Sequence, residues 1–131
     1  MKRTAINPWD WSLAFGYNQG EVIEGMTRQL IISGQTSMDA NGAPQHDGDM
    51  RGQMDLALSN LEAVLADARM GLTNVIHLKV YTTDMDATKQ NFDLLGGRFG
   101  RAGVAPPMTL AGVTGFALPT LMFEIEAIAA D

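Results

Sequence analysis

Cysteine is absent from the 131-residue chain. That excludes disulfides, thiolate metal sites and cysteine nucleophiles, and leaves a reducing compartment permitted without requiring one. Histidine is scarce: His46 and His77 are the only two and lie far apart in sequence. They show no metal-ligand spacing, and the nearby Asp47 and Asp49 are better used as helix caps, so no metal is expected. A Ser-His-Asp hydrolase would need a histidine beside a candidate serine, and none is in place. Positive charge is also short: nine Lys plus Arg stand against fifteen Asp plus Glu, a net charge of -6. Such a field repels polyanions, so nucleic acid is not an expected partner. No run approaches the ~20 apolar residues of a membrane span, and Thr4 to Asp10 lacks the apolar stretch of a signal peptide. The expectation is no membrane association and a cytoplasmic location. Repeats, low-complexity segments and Pro- or Ser-rich linkers are missing too, which makes residues 1–131 one expected domain.

What the chain does have is core material. It is 46% hydrophobic and 18% charged, and a domain of this length buries roughly two-thirds of its unfolded surface. Trp11, Leu13, Phe15 and Tyr17 alternate with Ser12, Ala14 and Gly16, a two-residue period that predicts a strand turned by Asn18-Gln19-Gly20. Gln29 to Gln35 is a β-branched run ended by glycine, and Asp39-Ala40-Asn41-Gly42 reads as an Asx turn. From Asp49 the period changes: Met54, Leu58, Leu61 and Leu65 line one side of a helix capped by Asp47 or Asp49, with Gly71 as the left-handed residue past its end. Val75 to Tyr81 alternates as a strand. Thr83 or Asp84 then caps a second helix bearing Phe92, Leu95 and Phe99, weakened by Gly96 and Gly97. Met108–Val113 and Leu121–Ala129 are strands.

The order β-β-α-β-α-β-β defines an α+β class, a mixed sheet with two helices on one face. The other face is left uncovered, carrying His77, Lys79, Tyr81, Glu124 and Glu126 among Met122 and Ile128. This mixture is too polar for a core and too apolar for free solvation, so a cyclic homo-oligomer is expected. Two other motifs carry no chemistry. The Asp39 loop has no terminal Glu for calcium, and Gly96 to Gly103 lacks a P-loop pattern and does not follow a strand. The Glu124 and Glu126 pair remains, about 7 Å apart from Cα to Cα on one strand face. A partly buried carboxylate there has a raised pKa and can hold or activate a water. The alternative is an ion pair with Lys79 or with an arginine across a subunit boundary.

Several motifs together resemble the RidA/YjgF/UK114 family, small proteins once labelled endoribonucleases or translation inhibitors. They are Gly16-Tyr17-Asn18-Gln19-Gly20, Ile31-Ile32-Ser33-Gly34-Gln35 with Asp39 and Gly42, Asn60-Leu61, Val80-Tyr81, Pro106 and Phe123 to Ala129. The resemblance runs from about Phe15 to Ala129 and implies a chorismate-mutase-like, YjgF-like fold. It also implies a homotrimer whose sheets wall a central barrel, with three small-molecule clefts between subunits. Family members hydrolyse reactive enamines and imines such as 2-aminoacrylate to a 2-keto acid and ammonia, without metal or cofactor. By that resemblance Glu124 matches the water-holding glutamate and Tyr17 the cleft tyrosine. Gly34, beside Ser33, matches the glycine whose backbone N–H meets the substrate carboxylate, and Asn91 matches a cleft asparagine.

One departure weighs against these matches. Deaminating members carry an arginine in a Pro-Ala-Arg-Ser/Thr pattern, where this chain has Pro106-Pro107-Met108-Thr109. A thioether cannot pair with a carboxylate, and a charge-assisted hydrogen bond is worth about 1.5–3 kcal/mol, so roughly ten- to a hundred-fold in amino-acid imine binding is lost. Arg28, Arg98 or Arg101 of a neighbouring subunit would have to restore it. The frequent cleft cysteine is Leu110 here, and the segment from Met108 to Pro119 is about two residues longer than usual. These residues imply a more apolar cleft for a largely uncharged carbonyl, imine or enamine, with Thr109 adding a polar contact and Met108 an apolar one. Two functions are consistent with this: hydrolysis of such a compound, or a non-catalytic trimeric ligand-binding or protein-interaction module. Ribonuclease activity, the older family label, is opposed by the acidic charge.

Overall fold

A computed structural model describes residues 1–131. A hairpin of β1 (Lys2–Ile6) and β2 (Gly20–Glu24) stands beside a four-stranded sheet in the order β3 (Gln29–Gln35), β6 (Phe123–Ala130), β4 (Val75–Thr82), β5 (Met108–Gly112). The β4–β5 pairing is parallel and the others are antiparallel, giving the mixed sheet that the sequence predicts. Helix α1 (Met50–Asp67) lies across β6 and β3, joined on the same face by α2 (Met85–Gln90) and α3 (Asp93–Arg101). Its apolar stripe is as expected: Met54, Leu58, Leu61 and Leu65 are fully buried against Leu78, Val80, Phe123 and Ile125. Burying each such side chain contributes about 1.5–3 kcal/mol. Asp49 caps α1 by accepting from Gly52 N, and Asp84 caps α2 by accepting from Ala87 N. Inside α1, the Asn60 amide donates to Thr36 O at 3.0 Å and Met38 O at 2.9 Å, fixing the chain just after β3. The Asp39 turn forms as predicted, its Oδ1 accepting from Asn41 N and Ala43 N.

Several expectations are corrected. Trp11–Phe15 is a 3-10 helix, not a strand, held by Leu13 N to Asp10 O and Gly16 N to Leu13 O bonds. An alternating pattern signals a strand only where a neighbouring strand takes its backbone groups, and here Trp9, Trp11, Leu13 and Phe15 are exposed instead. The β1–β2 hairpin was not legible, because β1 is largely exposed and carries no apolar alternation. A partly buried ion pair marks it, with the Arg3 guanidinium on the Glu21 carboxylate at 2.9 and 2.6 Å. The left-handed residue after α1 is Arg69 (φ 59), while Gly71 is extended. The expected second helix is broken at Asn91–Phe92 into α2 and α3, so three helices cover the sheet. Met122 precedes β6 and packs against the core instead of joining the open face.

That open face is otherwise as predicted. Ile31 is 76% exposed on it, with Lys79 exposed and His77, Tyr81, Glu124, Glu126 and Ile128 half-buried. No helix is long and apolar enough to cross a membrane.

Candidate functional site

Strand register decides which candidate residues can meet. Met108 pairs with Leu78 and Leu110 with Val80. Both therefore sit on the helix side of β5, where they pack against the core. Thr109 pairs with the exposed Lys79 and takes the open face instead. Behind β5 lies a cavity of about 490 Å³ lined by Phe15, Tyr17, Lys89, Phe92, Met108 and Leu110. Its walls come from three places. Gly16, left-handed at φ 81, ends the 3-10 turn and releases Tyr17 towards the cavity. The Trp11 ring stands edge-on to Tyr17 at 6.2 Å. Asn18 N donates to Ala105 O at 2.8 Å, tying this segment to the prolines before β5. The break between α2 and α3 supplies Lys89 and Phe92. Asn91, at that break, turns elsewhere: its amide donates to Ala87 O at 2.8 Å and its Oδ1 accepts from Arg51 at 3.3 Å.

The second group lies on the other side of the sheet. Ile32 pairs with Ala127 and Gln35 with Ile125, so β3 carries one extra residue in the Ser33–Gly34 stretch opposite Glu126. A Cβ on Gly34 would lie 2.2 Å from Glu124 Oε1, so the Glu124 carboxylate occupies the space a side chain would take. Glu126 is ion-paired with Lys79 at 3.4 Å. The Glu124 carboxylate has no ion pair and no hydrogen bond within the chain, so the Lys79 alternative goes to its neighbour. Burial pushes the Glu124 carboxyl above its ordinary range, and the charge of Glu126 adds to this. Ser33 borders a separate hollow of about 340 Å³ with Ile31, His77, Lys79, Glu126 and Ile128.

Glu124 pairs with Tyr81, and Tyr81 with Ala111, three residues beyond Met108. Two strand spacings and three residue rises put Glu124 roughly 14 Å from Met108 in one chain, on the opposite face. Of the cations that sequence reasoning offered in place of the missing arginine, Arg28 pairs with Asp131, and Arg98 with Asp55 and Glu62. Arg101 is unpaired but does not line the cavity; the cation that does is Lys89, and no motif pointed to it.

A mixed sheet in the order β3-β6-β4-β5, covered by helices on one face and open on the other, defines a protein of the YjgF-like fold. Comparison with known proteins carries this further. Residues 12–131 match the endoribonuclease L-PSP family, and the chain belongs to this family, also known as Rid/YjgF/UK114. Protein DfrA of Myxococcus xanthus is 29% identical over 131 residues, covering 98% of this chain and 96% of that protein. A RutC family protein of Pyrococcus horikoshii is 30% identical over 100 residues, covering 76% and 77%. The crystal structure of YyfB, a Rid-family protein of unknown function from Yersinia pestis, superimposes with a TM-score of 0.88 at 30% identity over 100% of both chains.

Proposed function

We propose that this chain is a homotrimeric, cofactor-free hydrolase that converts a reactive imine or enamine into the carbonyl compound and ammonia in clefts between subunits. The observation that carries the reading is Glu124, an unpaired carboxylate with a raised pKa, parked over a glycine while its neighbour takes the available lysine. An enamine first gains a proton at carbon to become an imine. Glu124 then orients a water and accepts one of its protons as the oxygen bonds to the carbon of the protonated imine, giving a carbinolamine. It returns that proton to nitrogen, and the C–N bond breaks as the hydroxyl proton is released to solvent and the carbonyl forms. Water and imine are consumed, and carbonyl and ammonia leave. The Gly34 backbone, with Ser33 beside it, and Tyr17 orient the substrate; Thr109 adds a polar contact on the open face.

Assembly follows from the placement of the two groups. Met108 and Tyr17 on one side and Gly34 and Glu124 on the other make a complete cleft only when a second copy brings them together, and Rid-family proteins are typically trimers. The exposed Ile31 on the open face gives such a copy an apolar contact. Light scattering is expected to give three times the 14.1 kDa chain mass; a monomer at micromolar concentration refutes the shared cleft.

Met108 sets the substrate range. With a thioether where relatives place a guanidinium fork, hydrolysis of 2-aminoacrylate released by a pyridoxal-phosphate lyase should be slow. Met108→Arg should raise that rate roughly ten- to a hundred-fold, read as ammonia release in the coupled assay. Wild-type rates already at the level of arginine-bearing relatives overturn the role given to Met108. The five apolar lining residues of the cavity also suit a binding module without turnover. Catalysis that vanishes in Glu124→Gln with the fold intact decides for the hydrolase.

A further inference from the structure

The chain's cations are mostly committed. Lys2, Arg3, Arg28, Arg51, Lys79 and Arg98 each hold an acidic partner, leaving Arg69, Lys89 and Arg101 without one. Of these three, Lys89 borders the cavity that contains Met108, where the Tyr17 hydroxyl is the one other side-chain polar group. A lysine places a compact charge at the end of an apolar stem, so it can stand against Phe92 and Leu110 and still offer its ammonium to a ligand. In a protein of net charge -6, a lysine without an acidic partner bordering an otherwise apolar cavity is a local reversal of sign.

The space is generous for a small acid. At about 30 Å³ per non-hydrogen atom, taken from liquid water, 490 Å³ corresponds to roughly 16 such atoms. A three-carbon imino acid fills a minor part of it. Phe15, Tyr17 and Phe92 supply aromatic faces for a larger body.

We infer that Lys89 is a specificity-determining residue that anchors the carboxylate of an aromatic or comparably bulky 2-imino acid, whose body lies against Phe15, Phe92, Met108 and Leu110. The inference rests on the proposed cleft and names the substrate class it takes. A point charge replaces a fork. The anchor is less directional than an arginine, and the apolar wall supplies the affinity and orientation that the second hydrogen bond would have given.

The test is binding of phenylpyruvate, the keto acid such a substrate would yield, and of its uncharged methyl ester to the assembled protein by calorimetry. Wild type is expected to prefer the acid by roughly ten- to a hundred-fold. Lys89→Met is expected to bring the two within about three-fold by weakening the acid, and Lys89→Arg to keep the preference. Lys89 is exposed on α2, so these variants should fold, and thermal melts matching wild type confirm that they do. Equal affinity for acid and ester in wild type, or an undiminished preference in Lys89→Met, overturns the assignment. Binding is measured without turnover, so the two readings part cleanly. If the acid preference depends on Lys89 but no imine hydrolysis is found, the hydrolase fails and the anchor stands. If hydrolysis is present without acid preference, the anchor fails alone.

Discussion

Glu124→Gln is expected to lower kcat for imine hydrolysis by about 10²–10⁴-fold, the range for losing a positioned general base, while substrate affinity changes little. Glutamine keeps the shape and can still hold a water, but it cannot take the proton. In wild type the acid limb of the rate profile should lie above the ordinary glutamate value of 4.5, since the carboxyl is held up by burial first and by Glu126 second. Stability moves the other way. A group that binds its proton more tightly in the folded chain than in the unfolded one penalises the fold once it must ionise. That penalty is absent below the ordinary value, grows as pH rises through the folded value and is constant beyond it. Glu124→Gln should therefore melt above wild type at neutral pH and level with it below about pH 4. Thermal melts across that interval check the sign. A variant less stable than wild type at neutral pH would falsify the picture of an unpaired, half-buried carboxylate.

Gly34→Ala should cost nearly as much without touching a charged group. The added methyl would meet Glu124 Oε1 at 2.2 Å, Cδ at 2.6 Å and Cγ at 2.9 Å. All three belong to a flexible side chain, so the fold survives and the carboxylate swings aside. A displacement on the order of 1 Å at a reacting group costs about 10²-fold in rate. Since both substitutions remove the same event, the double variant should be no slower than Glu124→Gln alone, a non-additivity that single-turnover assays of the four proteins would expose. Wild-type turnover in Gly34→Ala would show that the close approach of Gly34 and Glu124 is packing only.

What was legible in the sequence follows from where apolar periodicity governs structure. The stripe Met54, Leu58, Leu61, Leu65 and the alternation from Phe123 to Ala129 each bury one side of an element, and those elements form where expected. The β1–β2 hairpin is held by Arg3, Glu21 and Asn18 through polar contacts with no period to read. Trp11 to Tyr17 misled because its spacing mimics a strand while its backbone closes on itself through i to i+3 bonds. In the site, strand parity alone placed Glu124 and Glu126 on one face, but the partner of Lys79 depended on register. The sequence pattern offered arginines as the replacement cation, and only the break at Asn91–Phe92 shows that Lys89 reaches the cavity. Phe92 went unnoticed as a wall residue for the same reason, and Phe15 because its 3-10 turn reads as a strand.

Met108 and Glu124 leave one sheet in opposite directions, and under the proposed mechanism this makes turnover a collective property. Dilution that separates the copies would silence each chain without unfolding it, so specific activity should fall with protein concentration more steeply than first order. The amount of protein present would then act as a control on its own output, with no effector and no modification required.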